Sequence, residues 1–370
     1  MGNFKSNQIP LTAKRNYGID LLRVVSMLMV AVLHILGHGG ILKNTAVLSY
    51  RYEVAWFLEI AAYCAVNCYA LISGYVGVNS KFKYTNIFYI WLQVVFYNVL
   101  INFGGAILLP NMGVKEVLKA FLPVSYRTYW YFTAYFCMFF FIPIINKGLN
   151  ALNKKQLFAL VGAVFGILCL IPLIPEWDVF VSNNGYSAIW LLSLYIFGGA
   201  IKKTQVFENA KAMVMLLMYF VMIFVTWLYK LYVDYHNMYY PNEEAMKNLL
   251  VKYTSPTILL SAVFLVAFFS KLKVSMVWAK VIGVLAPVSF GVYLIHENPV
   301  IRENIVRKAF TEFPKFGSIK LALCVLGVAI AIYIICGLID YLREKIFTLF
   351  RVKKTLMFIE QKLTKNLWNE

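Results

Sequence analysis

Apolar residues run through this chain in long stretches separated by short polar ones. Stretches long enough to cross a bilayer core as helix, ~20 residues, lie near 18–37, 54–78, 84–109, 128–146, 156–174, 186–201, 211–232, 254–270, 276–297 and 317–339. Period-two alternation is missing from them, which argues against a β-barrel. Unpaired backbone groups are too costly in lipid for any other spanning form except the helix. The pattern predicts an all-α polytopic membrane protein of about ten transmembrane helices, one domain over 1–370. The sixth and eighth runs are short, so either is a candidate for a broken segment.

Lysine and arginine set the direction of the spans. With residues 1–17 as a cytoplasmic N-terminus, that side holds 21 of the 35 basic residues. The opposite loops hold 12, Lys230, Lys247 and Lys252 among them. Ten spans bring the chain back, so both termini are expected in the cytoplasm. Two further stretches read as interfacial helices. Residues 113–122 gather Val114, Val117, Leu118, Phe121 and Leu122 on one face, with Lys115, Glu116 and Lys119 opposite. The basic tail 341–370 interleaves Ile346, Leu349, Phe350, Leu356 and Ile359 with Lys and Arg, as suits an anionic inner leaflet. A solvated helix fits the tail's pattern equally well.

Composition agrees: 61% of residues are apolar and 14% charged, where a soluble domain has about a quarter charged. A net charge of +18 would by itself suggest nucleic acid. Its sources lie in loops between apolar runs, so it reports topology, and no nucleic-acid partner is expected. Cys64, Cys68, Cys137, Cys169, Cys324 and Cys336 all fall inside apolar runs, which suits small residues at helix contacts better than a disulfide framework. The first run has no small-residue cleavage site and is followed by more spans, so it reads as a span and not as a leader.

A charge at mid-bilayer costs ~2.5–3.5 kcal/mol even on the lenient insertion scale, so each one inside a span is a site candidate. The first span opens Gly18-Ile19-Asp20-Leu21-Leu22-Arg23 and reaches His34. Asp20 and Arg23 can pair on one helix face. Arg23 and His34 fall within about 20° of one stripe, ~16 Å apart along the axis. The competing role for Arg23 is snorkelling to the inner headgroups. Matching depths then brings Glu59, His296 and Arg127 to the outer end beside His34, and Ser73-Gly74-Tyr75 toward Arg23 at the inner end. His38 and His236 read as solvated loop residues. His34 and His38 have the spacing of a metal pair, but a third ligand is not evident, so no metal is expected.

These residues bring a family into view. The Asp20–Arg23–His34 arrangement, Leu71-Ile72-Ser73-Gly74-Tyr75, Trp130-Tyr131 and Ser289-Phe290-Gly291-Val292-Tyr293-Leu294-Ile295-His296 together resemble the acyltransferase-3 family of membrane acyltransferases, over almost the whole chain. The resemblance implies about ten helices in a bacterial cytoplasmic membrane. It also implies O-acylation of an envelope carbohydrate, usually with acetyl groups from acetyl-CoA. Arg23 and His34 fall on the family's two essential positions, and Asp20 and Ser73-Gly74-Tyr75 also match. The run Phe141-Ile142-Pro143-Ile144-Ile145-Asn146 is similar to members that modify capsular or O-antigen polysaccharides.

The expected chemistry follows. Acetyl-CoA is a substrate and not a resident cofactor. It would dock from inside against Arg23, Asp20, Ser73, Gly74 and Tyr75, with Lys81 and Lys83 near its phosphates. Its pantetheine arm can span about three helical turns and bring the thioester to His34. His34 is the expected general base or acyl carrier, assisted by Glu59 and His296, with Arg127 and Trp130 at the acceptor or oxyanion. The acceptor is a carbohydrate, lipid-linked or polymeric, held beside membrane lipid, and a homo-oligomer stays open. The competing class is a transporter or flippase for a glycan lipid or small solute, which polar stripes inside ten helices also suit. The lack of an inverted repeat argues against it.

Overall fold

A computed structural model describes residues 15–174, 178–241 and 248–364. Most of the expected N-terminal cytoplasmic segment, and the last residues of the tail, lie outside the described residues. Those described form helices and loops without strands. The helices are α1 Tyr17–Leu36, α2 Tyr50–Tyr63, α3 Ala65–Gly77, α4 Tyr84–Leu108, α5 Val114–Lys119, α6 Trp130–Ala151 and α7 Lys154–Phe165. They continue with α8 Ala188–Thr204, α9 Ala212–Tyr239, α10 Pro256–Ser270, α11 Met276–His296, the single turn α12 Pro299–Ile301, α13 Ser318–Leu349 and α14 Val352–Thr364.

Among the described residues, eight stretches are long and apolar enough to cross a membrane: α1, α2–α3 together, α4, α6, α7 with its extension to Leu173, α9, α11 and α13. The two runs read as short in the sequence are the two short helices, α8 and α10. The protein is thus an all-α polytopic membrane protein. α1 is its centre: 67% of its apolar window is buried, against 17% for α7 and 22% for α9. It packs on α2, α3, α10, α11 and α13. Its start is fixed by Asn16, whose side chain accepts from the Gly18 and Ile19 N–H groups and donates to the Ser270 carbonyl. A polar stripe on α1 is therefore walled by protein and not by lipid.

The tightest helix pair is α3 with α8, and glycine makes it possible. A Cβ on Gly74 would lie 2.0 Å from the Tyr195 carbonyl oxygen, and one on Gly198 would lie 2.0 Å from that of Leu71. Close approach of this kind replaces the hydrophobic drive that lipid cannot supply. Between α4, α11 and α13, the buried Asp340 of α13 accepts from Gln93 and Tyr97 of α4 and from Arg343. Desolvated charge is stable there because every partner is present.

Three boundaries differ from the sequence reading. Lys230 is not a loop cation: α9 runs on to Tyr239, and Lys230 lies buried in it, paired with Asp234 and set over the Trp56 ring. The last span is longer than expected, because α13 continues through the start of the basic tail to Leu349, and the separate surface helix begins only at Val352. That helix is anchored by Glu360, whose carboxylate accepts from the Tyr84 and Thr85 N–H groups at the start of α4. Cys137 is exposed, and all six cysteines are free.

Candidate active site

His34 stands in the last turn of α1, and the end of α11 brings His296 and Glu297 against it. His34 Nδ1 lies 2.9 Å from His296 Nε2 and 3.2 Å from Glu297 Oε2. The tautomers follow from one contact. His296 Nδ1 is 2.6 Å from the Val292 carbonyl oxygen, so it must carry the hydrogen and donate. In the neutral ring this leaves His296 Nε2 as a lone pair. His34 Nδ1 must then be the donor to His296 Nε2, with Glu297 Oε2 close by but not hydrogen-bonded to it. His34 Nε2 is thereby left unprotonated, as a general base requires. Glu297 is held in turn by Arg302, which donates to Oε1 at 2.7 Å. Arg302 also pairs with Glu303, whose carboxyl Arg307 and Arg302 hold below the usual carboxylate range.

A cavity of about 370 Å³ opens beside Glu297. Arg127, Tyr129, Trp130, Tyr293, Glu297 and Arg302 are among its walls. Two features make one of these walls electropositive. The first is the N-terminus of α6, whose N-cap Tyr129 supplies no side-chain cap, so helix N–H groups are left for other partners. The second is Arg127, held at φ 48° just before that helix. The buried Tyr293 hydroxyl has no hydrogen-bond partner. The rim is braced by Asn298, which donates to the Tyr129 hydroxyl at 2.8 Å, while that hydroxyl donates to the Leu294 carbonyl. Such a wall suits a developing oxyanion or an acceptor oxygen.

At the other end of the same stripe, Arg23 pairs with Asp20, and Arg15 reaches the second oxygen of that carboxylate at 2.5 Å. One carboxylate between two guanidinium groups leaves a net positive charge. Tyr69 of α3 donates to the Arg23 carbonyl at 2.6 Å. From there aromatic rings lead toward the His34 end: Tyr69 meets Tyr131, Tyr131 stacks with Tyr135 and meets Trp130, and Tyr293 stands edge-on to His296. A larger cavity, about 780 Å³, lies at the Arg23 end among Ser80, Lys81, Asn146, Lys147, Asn150 and Glu360.

Residues 16–344 match the family model described as an acyltransferase domain, acyltransferase-3. The chain belongs to the acyltransferase-3 family. It is therefore a membrane acyltransferase. No curated protein matches it, and no solved structure does.

Within this acyltransferase-3 domain the sequence-predicted residues divide. His34 and His296 meet directly, and Arg127 and Trp130 line the cavity beside them. Asp20 and Arg23 pair as expected. Glu59 does not supply the carboxylate at His34; Glu297 does. Glu59 is buried one turn from Tyr63 on α2, with Oε2 lacking a hydrogen-bond partner. Ser73-Gly74-Tyr75 lies inside α3, where the Ser73 hydroxyl donates back to the Tyr69 carbonyl and Gly74 admits α8. Tyr75 sits under the Lys202 ammonium, 4.9 Å from ring centroid to Nζ. Reading along the chain also missed Glu297, Arg302, Tyr293 and the approach of His38. The signal was present in His296-Glu297-Asn298 and in Arg302 five residues after Glu297, but depth matching took Glu59 and left the carboxylate next to His296 unread.

Proposed function

We propose that this acyltransferase moves an acetyl group from acetyl-CoA, entering at the Arg23 end from the cytoplasm, to a hydroxyl of an envelope carbohydrate at the His34 end. The observation that carries the reading is the hydrogen-bond order around His34. His296 Nε2 takes its Nδ1 hydrogen, with the Glu297 carboxylate 3.2 Å from the same nitrogen, and Nε2 is left free for a substrate proton.

The reaction then runs as follows. The sugar hydroxyl gives its proton to His34 Nε2 as its oxygen attacks the thioester carbonyl carbon. The carbonyl oxygen becomes an oxyanion, which Arg127, the open N-terminus of α6 and the Tyr293 hydroxyl are suited to stabilise. The carbon–sulfur bond breaks, and His34 returns its proton to the leaving thiolate. Arg23 and the lysines at its end of the bundle bind the donor's phosphates, while Tyr69, Tyr131 and Tyr135 line the route of the pantetheine arm. Trp130 offers a face on which a sugar ring stacks.

The test is label transfer from radioactive acetyl-CoA into envelope glycan, compared between wild type and His34→Ala at equal membrane abundance. The reading expects at least a hundredfold loss of transfer, the lower end of general acid–base contributions, roughly 10²–10⁴. Full activity in His34→Ala would remove His34 from the chemistry.

A further inference from the structure

Acyl transfer leaves one neighbour of His34 unused. His38, one turn further along the chain, places Nε2 3.8 Å from Glu297 Oε2. Its ring centroid is 5.1 Å from that of His34. His34, His38 and Glu297 each offer one ligand atom, and these atoms all lie within 4.8 Å of one another.

The convergence is short of hydrogens. Glu297 Oε2 is an acceptor, buried, and has no hydrogen bond. His296 Nε2 is a lone pair, because its Nδ1 donates to Val292. One hydrogen on His34 Nδ1 faces both. Several electron-pair donors aimed at one small volume are what a cation needs. A tetrahedral ion with bonds near 2.0–2.1 Å keeps its ligands ~3.3 Å apart, and the observed 3.2 and 3.8 Å separations bracket that spacing. The outer contacts fit as well: Arg302 occupies the other oxygen of Glu297, fixing which oxygen points inward, as the partners behind a metal ligand do.

We propose that His34, His38 and Glu297 form a binding site for a divalent ion of the zinc type, and that the bound ion arrests acyl transfer. A neutral imidazole has one lone pair: an ion bound at His34 Nδ1 takes that lone pair and leaves the ring hydrogen on Nε2, so His34 has none for the acceptor hydroxyl. Imidazole and carboxylate ligands suit zinc among the first-row ions. The binding half stands on geometry alone. The arrest half rests on the reading of His34 as the base.

The test uses the full chain in detergent micelles, with zinc chloride in a calorimetric titration and in the label-transfer assay. His38→Ala and the bulkier His38→Gln are run beside wild type, since His38 has no part in the transfer step. Wild type is expected to bind about one zinc per chain, and both variants to bind roughly tenfold more weakly or worse. Zinc is expected to inhibit wild type, while the variants keep transfer in its presence. No saturable zinc binding, or equal binding by wild type and both variants, overturns the site. Binding without inhibition overturns the arrest. Zinc binding that depends on His38, in a wild-type protein that transfers no acetyl group with zinc removed, overturns the acyl-transfer reading and leaves the site standing.

Discussion

Glu297→Gln is the substitution that probes the hydrogen-bond order most sharply. The two side chains have almost the same volume, so the change is one of charge and donor pattern. In the native site Arg302 donates to Oε1 at 2.7 Å and His34 Nδ1 faces Oε2 at 3.2 Å. A glutamine must keep its carbonyl toward Arg302, because the guanidinium only donates. Its amide N–H groups then face His34 Nδ1. Two donors cannot share that contact, so His34 is driven to the tautomer with its hydrogen on Nε2. That tautomer cannot accept the substrate proton. His296 Nε2, 2.9 Å from Nδ1, resists the change because it too is a lone pair facing that atom. The loss is therefore smaller than for a histidine oriented by a carboxylate alone, where it reaches ~10⁴. We expect about a 10²-fold fall in kcat, ~2.7 kcal/mol in the barrier at 1.36 kcal/mol per decade, with KM for acetyl-CoA little changed. The assay is initial-rate label transfer with matched, monodisperse protein. A kcat within threefold of wild type would refute the assignment of Glu297 as a second group, beside His296, that holds the tautomer.

Two further outcomes test other parts of the molecule. Arg23→Ala should raise KM for acetyl-CoA about tenfold or more, while kcat falls less, because its guanidinium is the part of the Asp20 cluster left for a phosphate; titration of the rate against donor concentration decides it. Gly198→Ala should cost about 1–3 kcal/mol or prevent folding, since its Cβ would sit 2.0 Å from the Leu71 carbonyl oxygen; a fall in thermal midpoint in detergent is the readout, and an unchanged midpoint would show that α3 and α8 separate freely.

Much of this architecture was legible in the sequence because lipid imposes a simple rule. A run of apolar residues of bilayer length has one affordable conformation, so α1, α4, α6, α9, α11 and α13 could be placed before any contact was known. The register of Arg23 and His34 followed from helical periodicity. What could not be read was rotation and neighbourhood. Glu59 and Glu297 stand at similar expected depths, and only the packing of α11 on α1 shows which faces His34. Ser73-Gly74-Tyr75 was assigned to the donor from its expected depth and the family resemblance, but the close approach that Gly74 permits is taken up by α8. Lys230 was counted with the outer loop cations although the seventh run reaches residue 232, whereas Asp234 and Trp56 allow it to stay inside. The third candidate metal ligand was not picked out, because Glu297 is more than 250 residues from His34 and meets it only in the fold.

The central claim is that donor and acceptor meet the stripe of α1 from opposite ends, Arg23 inside and His34 outside. Proteoliposomes with one known orientation, loaded with radioactive acetyl-CoA on one face only and given glycan acceptor on the other, test it directly. The account predicts label in the glycan when acetyl-CoA is on the Arg23 face, none when the faces are exchanged, and none with His34→Ala. Equal labelling from either face, or labelling only when donor and acceptor share a face, would contradict it.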